Sequence, residues 1–306
     1  MKPAASIILF TTLAGAAQGL TVVLAAASIA GVAPERAQTG MLWVATGMLL
    51  AALAASFFHL GHPLRAWRAA LMWRTSWMSR EVIVLPAFIA LTAAWALAGP
   101  GSQASAWLPW LAIATAFLLW HCTAMIYACI RFIQEWAHPL TVVNYCLLGL
   151  ASGACLAGAL AMGLQGDAAF ANHVAPWAMA LTGLAWLARG LSLRRNTQLK
   201  SRSTTQSATG IQAARVVQKS MGMTGGSFNT REFFHGAPVA VFRAAKPAFQ
   251  VLAFLLPIGL LALAMAGWQT AWLLVAPVQW LGLLIERWFF FAQARHPQNL
   301  YYQVVS

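Results

Sequence analysis

The sequence predicts an all-α polytopic membrane protein, a bundle of eight transmembrane helices with both termini cytoplasmic. Hydrophobic residues make up 60% of the chain and charged residues only 8%, a composition that excludes an ordinary water-soluble globular domain. Several apolar runs reach the ~20 residues of helix that a ~30 Å hydrocarbon layer requires. The positive charges lie on alternate connections between these runs, as they do in membrane proteins of defined orientation.

Eight apolar runs are predicted to be helices within one integral membrane domain, residues 1–306. The first run extends well past the ~7 to 15 residues of a signal-peptide core, so it is expected to be retained. The expected bounds are 5–30, 41–60, 81–98, 107–131, 140–163, 173–193, 248–266 and 269–292.

The distribution of Lys and Arg predicts the orientation. With eight spans, the termini and alternate connections share one face, and every Lys and Arg except Arg36 falls on that face. Because cytoplasmic connections carry the excess of positive charge, this face is expected to be cytoplasmic, in a bacterial inner membrane. The net charge of +13 then needs no nucleic-acid partner, since nucleic-acid binding requires a polar surface that carries the charge.

The one long connection, residues 194–247, is a basic cytoplasmic loop between the sixth and seventh predicted helices. Its first part has the composition of a flexible or partner-ordered segment, and residues 211–221 are predicted to form a short helix. Two interpretations stay open, a solvated loop that neutralises lipid headgroups and a docking surface for soluble partners. Loops this long are usually functional or disordered, which favours docking.

Cofactor motifs are sparse. The four cysteines include no C-x-x-C pair, so no iron–sulfur cluster is expected in this chain. His121 lies ten residues before Arg131, hence ~15 Å into the membrane, a plausible depth for a haem ligand. No second histidine matches that depth, so haem b is not expected. A membrane b-type cytochrome remains an alternative, with His121 as its first candidate ligand.

Ionisable residues gather between the second and third predicted helices. His59 ends one helix, Glu81 opens the next, and His62, Arg65 and Arg80 lie between them. Such groups are costly at membrane helix ends, so they are functional candidates, and helices joined by a short connection are usually neighbours. Two simpler interpretations stay open. Glu81 could favour the N-terminus of the third helix with Ser79 as cap, and the arginines could contact lipid phosphates.

At these residues the sequence resembles the membrane anchor subunits of dimethyl sulfoxide reductase and its relatives, within the wider NrfD-like group of quinone-interacting anchors. The resemblance is carried by HLGHPLRAW, residues 59–67, and MSREV, residues 78–82, together with the eight-span layout. The segments IRFIQEWAHPLTVVNY and ERWFFF resemble the versions in relatives whose catalytic partners are cytoplasmic sulfite dehydrogenases. The long basic connection departs from the shorter anchor pattern.

The resemblance implies that this chain is one subunit of a complex. A molybdopterin catalytic subunit and an iron–sulfur subunit, both separate chains, would dock on the basic face, and this chain would hold menaquinone or ubiquinone within reach of the nearest cluster. By the same resemblance His59 and Glu81 occupy quinone-site positions. Arg65 and Arg80 are further candidates for the quinone site, and one of the two is expected close enough to Glu81 to influence its ionisation. Glu81 and His62 are expected to relay protons.

A secondary transporter is the main alternative from another functional class. Transporters favour midplane sites, broken helices and internal repeats, and the sequence shows only a short His-Pro-Leu repeat, at residues 62–64 and 138–140.

Overall fold

The computed structural model describes residues 1–58, 62–217, 219 and 233–300, and within these ranges it contains helices and connections but no β-strand. The all-α prediction is therefore confirmed for the described part of the chain. A π-helical turn occupies Val251–Leu255, and 3₁₀ segments occupy Pro63–Met72, Gln103–Ala106 and Pro297–Leu300. The α-helices are α1 Ala5–Ile29, α2 Glu35–Phe57, α3 Trp77–Ala98, α4 Leu108–Ala128, α5 Pro139–Gln165, α6 Ala168–Thr197, α7 Thr205–Thr209, α8 Val239–Gln250, α9 Leu256–Met265 and α10 Ala271–Ala292.

Seven helical stretches in the described ranges are long and apolar enough to cross a membrane. They are α1 to α5, α10, and the continuous stretch Val239–Met265 that α8, the π turn and α9 form together. The predicted span 173–193 coincides with α6, which is 30 residues long but is not among the seven. Polar residues such as Asn172, His173 and Arg189 lower its hydropathy. The all-helical membrane class is supported, while the count of eight stays a prediction.

Several predicted helix ends are displaced by local capping and turn chemistry. The third helix begins at Trp77 because Ser76 is its N-cap, with the Ser79 amide donating to the Ser76 hydroxyl at 3.4 Å. The interpretation of Ser79 as the cap is therefore wrong. The short helix predicted at 211–221 is not seen at 211–217, and one turn forms instead at Thr205–Thr209. Residues 218, 220 and 221 lie outside the described ranges.

The centre of the bundle is a direct backbone contact between α1 and α5. A Cβ added to Gly153 would lie 2.0 Å from the carbonyl carbon of Gly19, and one added to Gly19 would lie 1.9 Å from the carbonyl oxygen of Gly149. No side chain fits in that space. Lipid tails are as apolar as leucine, so membrane helices associate through such close packing of small residues.

A buried ionic cluster joins α6 to α10. Glu286 Oε1 lies 2.6 Å from Arg189 Nε, and Glu286 Oε2 lies 2.5 Å from Arg287 Nε. All three side chains are at least 95% buried. Arg189 and Arg287 fall inside the predicted helices 173–193 and 269–292, and the structure adds that both are buried where a carboxylate compensates them.

The first residue lies next to the end of the last helix. The amino group of Met1 donates to the carbonyl oxygen of Ala294 at 3.0 Å. The same end of the bundle contains the start of α3 and the C-terminal ends of α4, α6 and α10. We call it the basic end, since Lys200, Arg202 and Lys246 also lie there.

We predict that Gly153→Ala lowers the stability of the purified protein by about 1–3 kcal/mol, because the added methyl group forces two packed backbones apart. Thermal unfolding in detergent measures the effect. Gly183→Ala is the matched control, since a Cβ there meets nothing within 4 Å. A Gly153→Ala variant that melts at the temperature of the control would contradict the packing argument.

We predict a larger loss for Glu286→Gln, about 3–5 kcal/mol, because it leaves two buried guanidinium groups without a carboxylate. Arg189→Met should cost less, since a neutral pair between Glu286 and Arg287 remains. Unfolding curves of the two variants in one detergent give the comparison. A larger loss of stability for Arg189→Met than for Glu286→Gln would contradict the assigned charge balance.

Candidate functional site

Glu81 is buried between α3 and α4. It is the fifth residue of α3, beyond the first helical turn, and its side chain is only 8% exposed. The hydroxyl group of Thr123, on α4, donates a hydrogen bond to Glu81 Oε1. The carboxyl group thus points into the helix pair rather than capping a helix N-terminus, so the capping interpretation does not describe it.

Arg80 contacts the connection that precedes α3. Its guanidinium donates to the carbonyl oxygens of Trp73 and Arg74, both at 2.9 Å, and lies 4.0 Å from the centre of the Trp77 ring. These contacts hold the preceding connection against the start of α3. Among the described residues no Lys or Arg forms an ion pair with Glu81 within 4 Å. The carboxyl group therefore lacks the direct cationic partner that buried carboxylates usually have.

Two further candidates, His62 and Arg65, lie in the connection between α2 and α3. His62 precedes the 3₁₀ segment, and its carbonyl oxygen accepts a hydrogen bond from the Arg65 amide at 3.0 Å. The side chains of His62 and Arg65 are both exposed. His59 lies outside the described residues, so its predicted position beside Glu81 stays a prediction.

His121, on α4, lies beside the start of α3. Its ring packs edge-on against Trp77, with 5.1 Å between the ring centroids, and it lies on an exposed face of the helix. Trp77 therefore contacts both His121 and Arg80. The sequence predicted His121 only as an isolated haem ligand, and the structure adds it to the cluster around the start of α3.

The sequence did not predict two polar contacts, one at Glu81 and one in the buried ionic cluster. Thr123 is one threonine within an apolar run, and such residues usually bond to their own helix backbone. The pairing of Glu286 with Arg189 joins residues far apart in the chain, although the adjacent charges Glu286 and Arg287 inside an apolar run were a visible signal.

A small cavity lies where α1, α5 and α10 meet. Its volume is about 30 Å³, and its walls include Thr12, Tyr145 and Arg287. The hydroxyl oxygen of Thr12 has no hydrogen-bond partner among the described residues. The cavity has room and polar partners for one water molecule.

The geometry contains proton-exchanging and aromatic groups but no obvious metal centre. Among the residues that the structure describes, no group of three or more His, Cys, Asp or Glu side chains is placed to hold a metal ion. A buried carboxyl group and a hydroxyl group, beside accessible aromatic rings, suit proton exchange with a planar redox molecule in the membrane.

Comparisons with known proteins agree with the family that the sequence motifs indicated. The family model described as DMSO reductase anchor subunit (DmsC) matches residues 1–300. The chain is also similar to the C subunit of sulfite dehydrogenase from Allochromatium vinosum, with 46% identity over the full length of both chains. It is accordingly a membrane anchor subunit of an oxidoreductase complex, and the chain belongs to the DMSO reductase anchor subunit (DmsC) family.

Proposed function

We propose that this anchor subunit exchanges electrons between a quinone in the membrane and an iron–sulfur subunit docked at the basic end. A molybdopterin catalytic subunit of the sulfite dehydrogenase type completes the proposed complex, in line with the similarity to the C subunit of sulfite dehydrogenase. The observation that carries the proposal is the buried Glu81 carboxyl group, which accepts a hydrogen bond from Thr123 and has no ion-pair partner among the described residues.

The residues present fit a quinone site. When bound, a quinone supplies redox chemistry that takes up or releases two protons with two electrons. Glu81 can hold or release a proton at its carboxyl oxygens, and the Thr123 hydroxyl orients that group. Trp77 and His121 offer ring surfaces at the lipid-facing side of the same helix pair.

Proton exchange with water is assigned to the connection before α3. His62 is exposed there, and an imidazole changes its charge near neutral pH. Arg65 and Arg80 are retained in the proposed site, Arg80 as the residue that holds the connection against Trp77. His59 is retained through the family resemblance alone.

The placement in the membrane is part of the proposal. We assign eight traversals, with α6 as the sixth, and both termini on the cytoplasmic side of a bacterial inner membrane. Two observations support an even number of traversals, the contact between Met1 and Ala294 and the buried pairing of Arg189 with Glu286. The proposed quinone is menaquinone or ubiquinone.

We predict that Glu81→Gln lowers quinone-linked turnover of the assembled complex by roughly 10²-fold, a typical loss when a general acid–base group is removed. The amide keeps the size of the side chain but cannot carry the proton. Sulfite-dependent reduction of a soluble quinone analogue measures the effect. His59→Ala should weaken quinone binding instead, visible as a raised KM.

The control is the same preparation assayed with an artificial dye that accepts electrons before they reach the membrane. Dye-linked activity should not change in Glu81→Gln, whereas a merely structural Glu81 would lower both activities through poor assembly. Thr123→Ser keeps the hydroxyl donor and should retain turnover. The site assignment would be contradicted if the double variant Glu81→Gln, His59→Ala assembled and kept normal quinone-linked turnover.

We predict opposite labelling of two engineered cysteines in a background without the four native ones. Gln103→Cys, between α3 and α4, should react with an impermeant thiol reagent added to intact cells. Gln212→Cys, in the long connection, should react only after the membrane is opened. Both positions are exposed, so burial does not separate them. Equal labelling of the two in intact cells would overturn the orientation.

A further inference from the structure

A second, larger cavity opens at the basic end, away from Glu81. Its volume is about 660 Å³. The ends of α6 and α10 form one side of it, and residues of the connection after α4 and of the segment before α8 form the other. The proposed quinone site uses none of the residues that line it.

The rim of this cavity is strongly basic. Lys200, Arg202, Lys246 and Arg295 line it, and all four are exposed. The only carboxylate in the described lining is that of Glu135, whose Oε1 lies 4.0 Å from Arg295 Nε. The lining therefore carries an excess of positive charge, which favours an anion.

The wall of the cavity is apolar and aromatic. Leu193 and Phe289 are buried at its membrane side. The His296 ring stacks on Phe233 at 4.4 Å between centroids, and the His235 ring stacks on Phe242 at 4.9 Å. Burial lowers the pKa of both histidines, which favours the uncharged imidazoles, and their stacked rings extend the apolar wall.

Two hydrogen-bond donors in the wall of the cavity have no acceptor among the described residues. The side-chain amide nitrogens of Asn196 and Gln293 have no hydrogen-bond partner among the described residues, although both are shielded from solvent. Buried donors of this kind are normally satisfied. An acceptor-rich group in the cavity would satisfy them.

We propose that this cavity binds an anionic phospholipid, with the phosphate at the basic rim and the start of an acyl chain along the aromatic wall. Basic pockets between helices at the membrane surface are suited to lipid headgroups. A free phosphate ion would use the rim but leave the apolar wall in contact with water. The cavity lies at the ends of membrane helices, the level at which lipid phosphates occur.

The test compares two triple variants of the full chain that lose equal charge. Lys200→Gln, Arg202→Gln, Lys246→Gln changes the cavity rim, and Arg194→Gln, Arg215→Gln, Arg243→Gln changes exposed positions outside the lining. Each protein is delipidated and titrated with phosphatidylglycerol or phosphatidylcholine in mixed micelles, and with inorganic phosphate. Native mass spectrometry counts bound lipid, and thermal unfolding reports stabilisation.

We expect one phosphatidylglycerol to bind the wild-type protein and the control variant, and to raise their melting temperatures by several degrees over phosphatidylcholine. The rim variant should bind phosphatidylglycerol at least tenfold more weakly. Equal binding by the two triple variants would overturn the proposal, since attraction would then follow overall charge. Equal stabilisation by inorganic phosphate would also overturn it, because the apolar wall would then contribute nothing.

Discussion

The backbone contact between α1 and α5 is the constraint on which the rest of the bundle depends. Gly19, Gly149 and Gly153 let two helices meet without an intervening side chain, and these helices are the most buried of the seven candidate spans. Because membrane helices gain little hydrophobic energy from one another, packing at this distance contributes much of their attraction. The other helices pack around the pair, and Trp120 and Trp272 fill the space against Gly149 and Gly158.

Buried charges in this bundle are of two kinds. The carboxylate of Glu286 lies between Arg189 and Arg287, so its charge is compensated and it connects α6 to α10. Glu81 accepts only the Thr123 hydroxyl and has no cationic partner within ion-pair distance among the described residues. A carboxylate between two guanidinium groups is held in its charged form. The carboxyl group without a cation can change protonation at lower cost, which is why the proposed proton exchange is assigned to Glu81.

The site could be predicted from sequence only in part. The motifs at residues 59–67 and 78–82 placed Glu81 in the site and led to the family that the comparisons confirm. They did not show that Arg80 would reach the carbonyl oxygens of Trp73 and Arg74, or that His121 would pack on Trp77. A residue pattern indicates which groups are costly at a helix end, but side-chain direction depends on the neighbouring helix. The role of His59 beside Glu81 remains a prediction.

The sequence by itself determined the all-helical membrane class and the positions of most spans, because hydropathy is a local property that twenty consecutive residues express. It also predicted a charge asymmetry between two faces, and through its motifs it indicated the family. The tertiary structure decided where the charges and polar groups of the helices go. Arg189 and Arg287 lie inside helices that the sequence predicts, but only the packed bundle shows that Glu286 compensates them across two helices. Such pairings depend on contacts between distant segments, which only the packed bundle specifies.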